Sequence, residues 1–87
     1  MALKAKCFID TTIKQVEISD KATAEKKFSR WIIHVYEGDM QVWLLESKAW
    51  YRELEDCQAQ MYEIIENLGL TFSGQPEFIK KNKGGPV

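Results

Sequence analysis

The side chains of this chain that could do chemistry are few: one histidine, His34, two cysteines, Cys7 and Cys57, and the carboxylates Glu53, Glu55, Asp56, Glu63 and Glu66. Histidine-based catalysis would rest on His34 alone. A nucleophilic triad also needs a serine and a carboxylate converging on the imidazole, and no spacing in the sequence supplies them. His34 is therefore expected as a strand residue in a structural or interface role. Cys7, His34 and Cys57 lack the short paired spacing of zinc ligands, so no metal is expected. Gly84-Gly85 opens no helix and makes no phosphate loop, and no cofactor is expected. The chain is thus expected to be non-enzymatic.

Both cysteines fall at apolar-phase positions, where a free thiol packs as a small hydrophobe. Two cysteines make no disulfide framework, Met1 to Lys6 has no apolar leader core, and no run approaches the ~20 apolar residues of a membrane span. A reducing, cytoplasmic setting is the expectation, with no membrane association.

The chain has 87 residues, 45% hydrophobic and 29% charged, which suits one small domain. The expected division is a single α+β domain over residues 1–79 and a disordered basic tail over 80–87. Net charge is only −1 but is unevenly spread. Residues 1–30 carry seven basic and four acidic side chains, and residues 31–66 carry two basic and eight acidic.

The elements that would position these side chains follow from periodicity. Leu3, Ala5, Cys7 and Ile9 alternate with polar residues or Phe8, the period of a strand with one face inward. Asp10-Thr11-Thr12 suits a turn or bulge before a second strand containing Ile13, Val16 and Ile18, although one long bent strand has the same pattern. Ala24, Phe28 and Trp31 are spaced by four and three, which suits a short helix or an exposed lysine-rich loop over residues 21–29. A hairpin is expected over residues 30–46, turning at Glu37-Gly38-Asp39 because glycine accepts positive φ. A two-residue turn would put Trp31, Ile33, Val35, Met40, Val42 and Leu44 on one face. Arg30, Ile32, His34, Tyr36, Gln41, Trp43 and Leu45 would share the other.

One long helix should run from an N-cap at Ser47 to Gly69 as its C′ residue. Trp50, Leu54, Cys57, Met61, Ile64 and Leu68 make its apolar stripe, widened by Tyr51, Gln58, Tyr62 and Ile65. The expected architecture is an antiparallel sheet of three to four strands packed on this C-terminal helix.

A hairpin apolar on both faces and a stripe of roughly 160° exceed what one helix–sheet contact consumes. The expected function is a protein-binding module. An inhibitor or adaptor acting on a larger complex through aromatic and acidic surfaces fits best, such as a phage- or mobile-element-encoded protein. A homodimer is a further solution. The expected protein interface comprises His34, Tyr36, Trp43, Tyr51, Glu55 and Tyr62, because tyrosine and tryptophan bury a ring while keeping a polar end wet. The rival expectation is a nucleic-acid-binding accessory protein using the basic strands and tail through Lys4, Lys6, Lys14, Lys26, Lys27 and Arg30, with Trp31 or Trp43 as a stacking platform.

Overall fold

The computed structural model describes residues 2–20 and 22–79. The chain order is β1 (Lys4–Ser19), β2 (Ala22–Glu37), β3 (Met40–Glu46), α1 (Leu54–Asn67) and β4 (Glu77–Phe78). The strands form one sheet in the order β3-β2-β1-β4. The fold is α+β as expected, but the sheet is mixed: β1, β2 and β3 are antiparallel neighbours, whereas β4 runs parallel to β1. The helix lies mid-chain and is not C-terminal, because the segment after it returns to the outer edge of β1.

β1 and β2 are each 16 residues long and pair without interruption from Lys4↔Tyr36 to Glu17↔Thr23. The expected break at Asp10-Thr11-Thr12 does not occur. Threonine suits a strand, and Asp10 is tied to Arg30 on its cross-strand partner. Residues 22–29 are strand, neither helix nor loop. The 4–3 spacing of Ala24, Phe28 and Trp31 was a coincidence of local pattern. The second half of β1 supplies a backbone partner for every one of these residues, and that ladder outweighs a weak, lysine-rich helical propensity.

Gly38 and Asp39 form a two-residue turn between the paired Glu37 and Met40, with Gly38 at φ 63. The pairing then slips, because Val35 faces Trp43 while Tyr36 faces Gln41, leaving Val42 as the extra residue of a bulge. The bulge corrects the expected faces of β3. Trp43 and Leu45 join Val35 and Ile33 on one side of the sheet, and Leu44 lies beside His34 on the other.

The helix starts later than expected. Ser47 is no N-cap: its backbone N–H donates to the Trp31 carbonyl at 3.0 Å, and its hydroxyl accepts from the Trp31 N–H at 3.3 Å. The same hydroxyl donates to the Ala49 carbonyl at 3.0 Å. Tyr51 re-pairs with Ser29 through two backbone hydrogen bonds, of 2.6 and 2.9 Å. Chain that could have been a first helical turn is thus pinned to β2 at Ser47 and Tyr51 with bends between and after them, and α1 begins after Glu53, whose side chain makes no capping bond. The C-terminus is as expected. Gly69 at φ 66 donates to the Glu66 carbonyl and Leu70 to that of Ile65, the paired bonds of a Schellman motif.

The core is the odd-numbered face of the sheet against α1. Cys7, Ile9, Trp31, Ile33 and Val35 meet Cys57, Met61 and Ile65. The buried stripe of the helix is therefore Cys57-Met61-Ile65, and Leu54 and Leu68, expected in it, are largely exposed. Burial raises the thiols of Cys7 and Cys57 from 9.0 to about 11. Both cysteines are free, and both behave as buried hydrophobes.

Candidate functional site

Strand alternation brings the even-numbered residues of β1 and β2 to the sheet face opposite α1. Cross-strand pairs along it are Lys4↔Tyr36, Lys6↔His34, Phe8↔Ile32, Asp10↔Arg30, Thr12↔Phe28 and Lys14↔Lys26. β3 adds Leu44 beside His34 and Glu46 beside Ile32, and β4 adds Glu77 beside Phe8. No described element covers this face, and Phe8, Phe28, Ile32, His34 and Tyr36 are all half-buried on it.

Three local arrangements organise the face. At its centre the Phe8 and His34 rings lie 4.8 Å apart with their planes tilted by 52°. Towards the β1–β2 turn, the loop after β3 folds Trp50 onto the face. The Arg30 guanidinium sits 5.1 Å from its ring centroid, and the Lys14 ammonium 5.8 Å from the centroids of both Trp50 and Phe28. Beneath Trp50, Arg30 Nε donates to the buried Asp10 carboxylate at 3.3 Å, and Arg30 also stands 3.9 Å from Glu46. At the opposite end, Lys4, Ala5, Lys6, Tyr36, Gly38 and Asp39 line an open recess of about 310 Å³.

The second candidate surface is the outer edge of β3. Met40, Val42, Trp43 and Leu44 are 46–67% exposed, and no described strand pairs on that side. The other edge of the sheet is treated differently. Thr71 exchanges backbone hydrogen bonds of 2.8 Å with Leu3 and Ala5, and Ile79 donates to Ile9 at 2.8 Å, so the chain itself covers the outer side of β1 in pieces from Leu3 to Ile9, and no described strand pairs there beyond Ile9.

The residues expected at a protein interface do not converge. His34 and Tyr36 lie on the open face, and Trp43 on the β3 edge with its side chain on the α1 side of the sheet. Tyr51 extends the β3 side of β2. Tyr62 is on the exposed side of the helix, 6.1 Å from the Phe72 ring, and Glu55 is in the first helical turn. Of the basic set, Lys4, Lys6, Lys26 and Arg30 share the open face, whereas Lys27 pairs with Ile13 and belongs to the other side. The lysines of residues 80–87, also expected to act in nucleic-acid binding, lie outside the described residues.

Lys14, expected with the basic set, also lies on the open face. Phe8 and Trp50 were not expected at a site. The signal for Phe8 was present: Lys4, Lys6, Phe8 and Lys14 are all even-numbered, and the single-strand pattern over residues 4–19 puts them in one row. Trp50 carried no such signal, because helical and extended patterns both accommodate it.

Among the described residues no group of histidine, cysteine and carboxylate side chains could hold a metal ion, and no helix is long and apolar enough to cross a membrane. No protein-family model, curated protein or solved structure matches the chain.

Proposed function

We propose that this protein is a non-enzymatic protein-binding module, a small inhibitor or adaptor of a larger protein complex, that takes an extended segment of its partner onto β3. The observation that carries this reading is the contrast between its sheet edges. A strand edge presents a row of unpaired N–H and C=O groups, and monomeric proteins blunt such edges with lysine, proline, a bulge or a covering segment. β1 is covered from Leu3 to Ile9, and its unpaired remainder carries Lys14. β3, Met-Gln-Val-Trp-Leu-Leu-Glu, has the bulge at Val42 but no lysine, arginine, proline or glycine, and four of its apolar side chains are about half exposed or more. Strand addition would satisfy the backbone row, while Trp43 on one face and Leu44 on the other would grip the added segment's alternate side chains. Trp43, with a large ring just beyond the end of the covered core, is the expected anchor.

Sedimentation of the purified chain comes first, because a stable dimer would make the added segment the β3 of a second copy. Against an identified partner, purified components are then compared by titration and by backbone hydrogen exchange. The expected result is protection of the amides of residues 40–46 on binding, with at least tenfold weaker binding for Trp43→Ala and for Val42→Lys. Full binding by both variants, or protection confined to the acidic side of α1, would refute the edge as the docking site.

A further inference from the structure

We infer that the open face of the sheet is a binding track for single-stranded nucleic acid, with the backbone held by Lys4, Lys6, Lys14 and Lys26 and bases stacked on the Phe8–His34 pair and Trp50.

The inference stands on observations independent of the β3 edge. The first is charge segregation. The open face carries Lys4, Lys6, Lys14, Lys26 and Arg30 against Asp10, Glu46 and Glu77. Helix α1, on the opposite side, carries Glu55, Asp56, Glu63 and Glu66 and no basic residue. A polyanion is therefore drawn to one side of the molecule and repelled from the other. Arg30 is not counted as a free cation, because Asp10 and Glu46 already engage it. It holds Trp50 in place from below.

The second observation is the interleaving of rings with these cations. Rings lie between the lysine pairs: the Phe8–His34 pair next to Lys6, and Phe28 and Trp50 next to Lys14. Base–aromatic stacking is sequence-tolerant and needs unpaired bases, so the chemistry selects a single strand over a duplex. Lys4 to Lys14 spans ten residues of one strand, roughly 33 Å, a length suited to a run of several nucleotides. The third is the open recess of about 310 Å³ at the Lys4 end, lined by Lys4, Lys6 and Tyr36 together with Ala5, Gly38 and Asp39, which gives the track a concave end.

The test is fluorescence anisotropy of the full chain with labelled 12-nucleotide oligo(dT) and oligo(U), a duplex competitor and poly-glutamate as an acidic-protein competitor. Four phosphate contacts on a single strand predict roughly 50-fold weaker binding at 200 mM than at 50 mM salt. Lys4→Gln with Lys6→Gln should halve the slope of log affinity against log salt. Phe8→Leu, which keeps the apolar volume, should weaken binding about tenfold at fixed salt, and Lys27→Gln on the opposite side should change little. Four results would each overturn the inference: no oligonucleotide binding at 50 mM salt, duplex competing as well as single strand, poly-glutamate displacing the oligonucleotide at equal charge concentration, or Lys27→Gln matching the Lys4/Lys6 loss. So would binding that survives the Lys4/Lys6 change but is lost when Lys80, Lys81 and Lys83 become glutamine.

Discussion

The two faces of the sheet are built from the same two strands and have opposite characters. On the odd-numbered face Cys7, Ile9, Ile33 and Val35 are at most 2% exposed beneath α1. On the even-numbered face only Asp10 is comparably buried, and it is a carboxylate held by Arg30. Neighbouring residues one step apart, Ile32 and Ile33, thus belong to different environments. The covered face spends its apolar groups on packing. The open face mixes lysine, aromatic and aliphatic groups, and its rings stay half-buried without a covering helix.

The largest expected effect separates these faces directly. Ile33→Ala should cost about 2–5 kcal/mol in urea unfolding, whereas Ile32→Ala should cost roughly 1 kcal/mol, because only the first leaves a cavity in a closed core. Equal losses would mean that the open face is packed as well. The second effect uses the thiols on the covered side. Each is raised from 9.0 to about 11 by burial, so the native state holds its proton where the unfolded chain has lost it. The contribution is present below pH 9 and is lost as pH climbs through 9 towards 11, up to about 2–3 kcal/mol per thiol. Unfolding at pH 8 and pH 10.5 should therefore show a steeper alkaline loss for the native chain than for Cys57→Ala. In folded protein at pH 8 both thiols should react with a disulfide reagent only as fast as the molecule opens.

Smaller effects probe the open face. Arg30→Gln should destabilise by about 1–2 kcal/mol, a buried-pair loss reduced by the 31% exposure of the arginine side chain. The near-ultraviolet signal of Trp50 should change with it, since the guanidinium lies on that ring. Smallest of all, Leu44→Ser should stay within about 0.5 kcal/mol, because half of that side chain is already in water. A loss above 2 kcal/mol would place Leu44 in a core that the open face does not have.

Much of this fold was legible in sequence, and the legible parts share a cause. The alternation of Leu3, Ala5, Cys7 and Ile9, the Gly38-Asp39 turn and the Gly69 helix stop each depend on a few neighbouring residues whose φ/ψ demands or periodicity are local. The misreadings were of segments whose local pattern fits two structures. Residues 22–29 had weak helical spacing, and Trp50-Tyr51 extended a clean helical stripe. Residues 22–29 became strand and Tyr51 a bridge partner of Ser29 because a strand already in place offered them backbone partners. Of the candidate surface, Lys4 and Lys6 could be placed on one face from spacing, but the company they keep could not.

Composition, charge spread and periodicity by themselves determined a small α+β domain with a hairpin turning at Gly38-Asp39, an amphipathic helix ending at Gly69 and two free thiols in apolar positions. They did so because those features arise within a turn or two of chain. Tertiary structure alone decided the mixed strand order, the Val42 bulge that exchanged the faces of Trp43 and Leu44, the short helix, and the gathering of Lys14, Phe28, Arg30 and Trp50 into one cluster. Each depends on pairing between residues far apart in sequence, where a one-residue shift in register reverses every side chain and no local pattern records which register wins.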